Sequence, residues 1–235
     1  MSIMSHADQI NRVENLEEPS TNTLIPAEKK SPKRDADARG RILDIALKSF
    51  ANRGFDGVST TELAKAAGVT QPLIHYHFKS KKALWQTVVR NSFAVLNEEY
   101  IQPLHQISGC TSLARAERAI EDFVGFVARR TEFVKILMSE STQSTARLEW
   151  LSEELLEPCM QDLQEAYKEG VNLGILVDMP MAQLFSLVLG AASQFFVMGA
   201  LNETLFKVDV SLDDHIKIHT STVVKMLKRA LIITS

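Results

Sequence analysis

Gln71, His75, Tyr76 and His77 crowd polar and aromatic chemistry into one short stretch, and Lys81 and Lys82 follow almost at once. If the stretch is helical, its buried side needs only Leu73, Ile74 and Phe78. The four named side chains then face outward with the donors, acceptors and ring faces that reach base edges and phosphates. Ser80 can cap the helix that follows, which puts both lysines in its first turn, where the helix dipole disfavours each exposed cation by about 0.3–1 kcal/mol. A phosphate there would meet the helix amides and the lysines together, turning an unfavourable arrangement into an anion site. The bland alternative is a pair of solvated lysines.

Other chemistries find little material. Cys110 and Cys159 are the only cysteines, with no Cys-x-x-Cys and no Cys/His cluster. A disulfide scaffold, a zinc finger and an iron–sulfur site are therefore excluded, and a reducing, cytoplasmic compartment is expected. His215 and His219 stand four apart beside Asp214, a spacing that can hold a metal on one helix face. The spacing is common by chance and no third ligand is identifiable, so no metal is expected. There is no G-x-S-x-G elbow, Walker-type glycine loop, H-E-x-x-H or paired Glu-x-x-His, so neither an enzyme nor a cofactor is expected.

The elements that would position the basic and aromatic set are helices. The chain has 235 residues, 45% hydrophobic and 23% charged, with Gly 10 and Pro 7, too few breakers for a turn-rich β-sandwich. A first helix is expected from Ala36 to Arg53, with Ile42, Ile45, Ala46 and Phe50 on one stripe, Gly54 ending it and Phe55 just beyond. Ser59-Thr60-Thr61-Glu62 fits a capping box for a second helix ending at Gly68. Thr70 can cap a third helix, whose first turn accommodates Pro72 because the missing N–H had no helical partner there. Two short helices around Gly68-Val69-Thr70 have helix-turn-helix dimensions: Ala64 permits close approach, Gly68 takes a positive φ and Ile74 points inward.

Charge is divided accordingly. Residues Lys33 to Arg90 carry 11 Lys/Arg against 5 Asp/Glu, whereas Asn91 to Ser235 carry 12 against 19, within a net charge of −3. One part is built to meet a polyanion and the other is not. The reading is all-α in three segments: a flexible polar tail over 1–35, a helix-turn-helix DNA-binding domain over 36–85, and a helical effector-binding and dimerisation domain over 86–235. The tail ends in Lys29, Lys30, Lys33 and Arg34 and lacks a charged lead into an apolar run, so secretion is not expected.

The stretch Arg41–Leu84, RILDIALKSFANRGFDGVSTTELAKAAGVTQPLIHYHFKSKKAL, strongly resembles the DNA-binding domain of the TetR family of bacterial transcriptional regulators. The match includes the glycine after the first helix, the A-x-x-A-G-V turn and the terminal Y-H-F-K-S-K. The resemblance implies that the third helix enters the major groove. Thr70, Gln71, Pro72, His75, Tyr76 and His77 would then contact bases or phosphates, and Thr60, Thr61 and Lys81 would hold phosphates. His75 departs from the family pattern, which usually has tyrosine there, and Tyr76 is expected to take over part of that work.

Beyond Asn91 five or six more helices are expected, with breaks near Pro103–Gly109, Thr142–Ala146, Gly174–Pro180 and Lys207–Ser211. Met181 to Leu201 runs 21 residues without a charge, a length that could span a membrane. Gln183, Ser186, Ser193 and Gln194 interrupt it and no Lys/Arg cluster flanks it, so it reads instead as a helix covered by its own bundle and by a second copy. Gly190, Ala191 and Ala192 permit close approach. A last helix, about Leu212 to Ile232, offers Ile216, Val223, Val224, Leu227 and Leu231 as its companion. The resemblance implies that these two helices build a homodimer, and two heads about 34–36 Å apart read a near-palindromic operator.

Candidates for a ligand pocket are Phe123, Phe126, Phe133, Met138, Trp150, Met160, Phe195 and Met198, with Gln143 and Gln194 as amides that a neutral or amphipathic organic effector could satisfy. Most such residues in a bundle are plain core. The function expected is a ligand-responsive repressor of transcription. A DNA-binding regulator without effector stays open, as does an all-helical enzyme or small-molecule-binding protein.

Overall fold

A computed structural model describes residues 32–103 and 111–233. The segment 1–31, with Lys29 and Lys30, lies outside the described residues, as do Cys110 and most of the expected break at 103–109. The described chain is helical, with one isolated antiparallel bridge between Leu176 and Ile232.

Four helices build the head: α1 (Pro32–Arg53), α2 (Thr60–Ala67), α3 (Gln71–Phe78) and α4 (Lys81–Leu96). Helix α1 begins at Pro32 rather than Ala36, so the end of the expected tail is helical backbone; proline suits a first helical turn, where no N–H partner is needed. Ile42, Ala46 and Phe50 from α1 meet Leu63, Ala64, Ile74, Phe78, Leu84 and Trp85 in one buried core. Each of the large side chains there contributes about 1.5–3 kcal/mol by leaving water. The expected domain boundary at 85/86 falls inside α4, which buries Trp85 in the head and Phe93 and Leu96 further along.

Helix α4 runs on through a wide π-turn at Asn97–Ile101. The rest of the bundle is α5 (Ser112–Arg129), α6 (Thr131–Glu140), α7 (Ala146–Leu151, continued by a π-turn at Ser152–Leu156), α8 (Glu157–Asn172), α9 (Met181–Val197), α10 (Gly199–Phe206) and α11 (Asp213–Leu231). Breaks near 142–146, 174–180 and 207–211 appear where expected. Two others fall at Arg130, where no glycine or proline stands, and at Met198, where Gly199 follows directly. Helix α5 packs on α11 and α9, while α6 packs on both α9 and α1, so α6 is the wall shared by head and bundle.

The uncharged run is split. Helix α9 stops at Val197 and α10 leaves at 60°; among the described residues no single helix is long and apolar enough to cross a membrane. On α9 only Leu184, Ala192, Ser193 and Phe196 are buried, while Leu187, Leu205, Phe206, Ile218 and Met226 on α9 to α11 lie exposed. Within one copy the cover expected on the outer side of α9 is therefore not supplied by the chain itself.

Candidate nucleic-acid interface and effector cavity

The turn between α2 and α3 is set by local chemistry. Ser59 Oγ accepts from the Glu62 amide at 3.2 Å while the Ser59 amide donates to Glu62 Oε2 at 3.4 Å, completing the capping box. That bond and the Arg53 guanidinium hold the Glu62 carboxyl below its ordinary range. Gly68 closes α2 at φ 64°, ψ 37°, a left-handed conformation that any side chain would strain. Thr70 stands at the start of α3 with extended backbone, but its hydroxyl does not cap. The next residue but one is Pro72, which has no N–H, and the Leu73 amide already donates to the Thr70 carbonyl at 3.0 Å. That leaves the Thr70 hydroxyl pointing to no helical partner.

Gln71, Pro72, His75 and Tyr76 are exposed on α3, Tyr76 to 65%. Gln71 is already held: its Nε2 donates to Thr60 Oγ1 at 3.1 Å and its Oε1 accepts from Thr61 Oγ1 at 3.2 Å. Thr60, Thr61 and Gln71 thus form one polar cluster bridging α2 and α3, a pre-ordered edge rather than three separate contacts. His77 differs from the expected outward position: it is half-buried, its ring 5.2 Å from Tyr76 and 5.9 Å from Phe78.

Lys81 also differs. Its Nζ donates to the carbonyls of Phe55 and Val58, each at 2.9 Å, and lies 4.3 Å from the centroid of the Phe55 ring. The cation of the first α4 turn is turned inward, satisfying orphan carbonyls of the loop after α1. Ser80 caps α4 as expected, accepting from the Ala83 amide at 3.0 Å, and Lys82 stays exposed beside it. Between the helices Lys79 adopts φ 64°, ψ −45°, and the Ser80 amide donates to the Phe78 carbonyl at 2.7 Å. This tight γ-turn costs about 1–3 kcal/mol and brings α4's N-terminus directly behind α3. Sequence reasoning missed Lys79 and Arg39, the latter 5.4 Å over the Phe78 ring; the only signal for Arg39 was the run of basic residues before Arg41.

These positions separate the two lysines. Lys81→Ala is expected to cost about 1–3 kcal/mol of stability, read in a thermal melt, because two charge-assisted bonds are lost. Lys82→Ala should leave the melt unchanged, weaken every DNA alike and lower the salt slope of binding by about 1. A reversed pattern would contradict the assignment.

In the bundle, the end of α4 with α5, α8 and α9 borders a partly open cavity of about 260 Å³. Its wall is apolar, including Ile120, Phe123, Leu163, Leu184, Phe185, Val188 and Leu189. Tyr167 is occupied: its hydroxyl donates to the Val177 carbonyl at 2.7 Å and accepts from the Met179 amide at 2.9 Å. Tyr100 also lines the space, and burial pushes its hydroxyl well above the usual range. Arg115 stands at the wall, exposed.

Of the expected ligand residues, Phe123 lines this cavity and the others lie elsewhere. Phe126 and Phe133 are core. Met138 Sδ takes the Ser193 hydroxyl at 3.8 Å, between α6 and α9. Trp150 meets Trp85 at 5.5 Å, and Met160 is half-buried on α8. Gln143, Gln194 and Met198 are exposed. Phe195 stacks on His219 at 4.5 Å, and the His219 Nε2 meets the Ala192 carbonyl at 3.2 Å, whereas His215 Nδ1 meets the Asp209 carbonyl at 2.6 Å. The two histidine nitrogens are thus spent on different backbone segments. Large side chains from other positions, Phe185 and Met181 among them, line the cavity together with Ala116, Ala119 and Ala166.

The head and the bundle each have counterparts among known proteins. Residues 42–88 match the model described as bacterial regulatory proteins, tetR family, and residues 114–227 match the tetracyclin repressor-like, C-terminal domain. The HTH-type transcriptional regulator AcrR of Shigella flexneri is 40% identical over 60 residues, 26% of this chain and 28% of AcrR. The biofilm operon icaADBC HTH-type negative transcriptional regulator IcaR of Staphylococcus aureus (strain Newman) is 32% identical over 59 residues, 25% of this chain and 32% of IcaR. The chain thus matches less than a third of the length of either curated relative.

Solved structures extend the likeness over most of the chain. AibR, in complex with isovaleryl coenzyme A and operator DNA, superimposes with a TM-score of 0.58 at 17% identity, covering 80% of this chain and 97% of AibR. FadR from Bacillus subtilis, in complex with stearoyl-CoA, gives a TM-score of 0.58 at 18% identity, covering 80% and 96%. At these identities the likeness is one of fold.

Proposed function

Because this chain belongs to the tetR family of bacterial regulatory proteins, we propose that it is a homodimeric repressor of transcription, acting in the cytoplasm and released from DNA by a small organic effector. The observation that carries this reading is the exposed α3 face braced by the Gln71–Thr60–Thr61 cluster, with α4's N-terminus set behind it. Thr70, Gln71, Pro72, His75 and Tyr76 would reach the major groove, while Thr60, Thr61 and Lys82 would sit by the backbone. The Thr hydroxyls would exchange Gln71 for phosphate when the glutamine turns to a base edge. Selection of duplexes from a random-sequence pool tests it: enrichment of a near-palindrome is expected, and equal retention of all sequences would contradict it.

The exposed apolar residues of α9 to α11 would be covered by a second copy, which gives two heads per assembly. An effector in the apolar cavity would favour a state with the heads wrongly spaced. A 100-fold loss of operator affinity needs about 2.7 kcal/mol of differential binding. The cavity favours this reading over a regulator without effector.

The neighbours that hold isovaleryl coenzyme A and stearoyl-CoA make an acyl chain the first candidate for the apolar space. The apolar wall suits the acyl chain of such a molecule and not its charged nucleotide end. The Tyr100 hydroxyl would donate to the acyl carbonyl. In a calorimetric series of acyl-CoA thioesters, Tyr100→Phe should weaken the tightest by about 3–10-fold and leave DNA affinity of the free protein unchanged. Binding that is indifferent to Tyr100→Phe would remove this role.

A further inference from the structure

The loop after α1 is gripped from both sides of the domain boundary. From the head, Lys81 binds its carbonyls. From the bundle, the Arg147 guanidinium lies 4.3 Å from the centroid of the Phe55 ring and pairs with Asp56 at 3.5 Å. Arg147 is itself fixed, because its Nε donates to both carboxylate oxygens of Glu140 at 3.1 and 3.0 Å. Glu140 is only 4% exposed, and the Thr145 hydroxyl that caps α7 also reaches it, at 3.5 Å. A buried ion pair adds little net stability, because desolvation offsets attraction, but it fixes direction where an apolar contact could slide. Planar arginine holds carboxylates at its edge and an aromatic on its face in one fixed fork, a geometry that lysine's point charge does not fix.

This grip is continuous with the cavity wall. Leu189 and Val188 of α9 line the cavity, and the Ser193 hydroxyl donates to the Leu189 carbonyl at 2.6 Å while meeting Met138 Sδ of α6 at 3.8 Å. Two residues on from Met138, α6 ends at Glu140. Packed contacts therefore run from the cavity through α9 and α6 to Glu140, Arg147 and the loop that carries the head.

We propose that Arg147, oriented by Glu140 and seated on Phe55, is the positioning residue that sets the angle of the DNA-reading head on the bundle. It touches no DNA; it acts through Phe55, Asp56 and, across the loop, Lys81. The proposal rests on the DNA-binding reading above. A shift of α6 driven from the cavity would be delivered at this point as a rotation of the head.

The test compares wild type with Arg147→Lys and Glu140→Gln on the duplex that wild type enriches from a random-sequence pool, on a single half-site cut from it, and on the full site with its spacing changed by one base pair. Both variants should bind the half-site as wild type does, lose about tenfold on the full site and discriminate less against the altered spacing. Unchanged full-site affinity and spacing preference would overturn the proposal, as would an equal loss on the half-site, which marks a damaged head. A readout independent of DNA comes from Trp85 and Trp150, the chain's two tryptophans, which meet at 5.5 Å at this joint. Acrylamide quenching of their emission should rise in both variants. If wild type enriches no duplex, the DNA reading fails, and unchanged quenching then overturns the joint as well.

Discussion

Leu187→Asp combined with Ile218→Asp is expected to turn the proposed dimer into a monomer and to lower affinity for a full operator by about 100-fold or more. The two residues are 58% and 64% exposed on α9 and α11 within one chain, so the single copy loses little packing when they change. Helix content by circular dichroism should stay as in wild type. A second copy covering them would be forced to desolvate two carboxylates, which splits the pair. The DNA effect follows from arithmetic: when one head is bound, its partner meets the second half-site at an effective concentration near millimolar, and that gain disappears with the dimer. Half-site affinity should be unchanged. Sedimentation showing an intact dimer would place the interface elsewhere, and a monomer that still binds the full site tightly would remove the need for two heads.

Gln71→Ala is expected to lose about 5–150-fold on the selected duplex, the 1–3 kcal/mol of a two-point contact with a base edge, and almost nothing on random DNA. In the free protein Gln71 is bonded through both ends of its amide to Thr60 and Thr61. These bonds are exposed, so their loss should move the melting temperature little. On binding they are exchanged: the amide leaves both threonines for the base edge, and the threonine hydroxyls are freed for phosphate. Equal losses on selected and random duplexes would make Gln71 a backbone contact instead.

How much of this was legible beforehand depended on whether the signal was local. The capping box at Ser59 and Glu62, the left-handed Gly68 and the Ser80 cap are set by a few neighbouring residues, and sequence spacing places them well. Thr70 does not cap α3: the amide three residues on, that of Leu73, donates to the Thr70 carbonyl instead of its hydroxyl. Lys81 and His77 could not be placed from spacing. Helical periodicity says which way a side chain leaves its helix, while the carbonyls of Phe55 and Val58 that draw Lys81 inward come from 26 and 23 residues away. The grip of Arg147 on Phe55 joins residues still further apart in the chain, and nothing in the periodicity of either segment foretells it.

The apolar cavity was the least legible part. Aromatic and methionine residues were the natural candidates, and Phe123 does line the cavity, but so do Phe185 and Met181, and helical spacing does not tell which large side chains border the space and which fill core. Tyr100 was missed because it sits in the π-turn that extends α4, where the register of a regular helix no longer says which residues turn inward.

Hydroxyl-radical footprinting of the protein on its selected duplex tests most directly whether the α3 face reads DNA twice per assembly. Two protected patches related by the two-fold axis of the site are expected, centred a whole number of helical turns apart, about 34–36 Å or a multiple of it. A single unpaired patch, or uniform protection that slides with the duplex ends, would contradict the account.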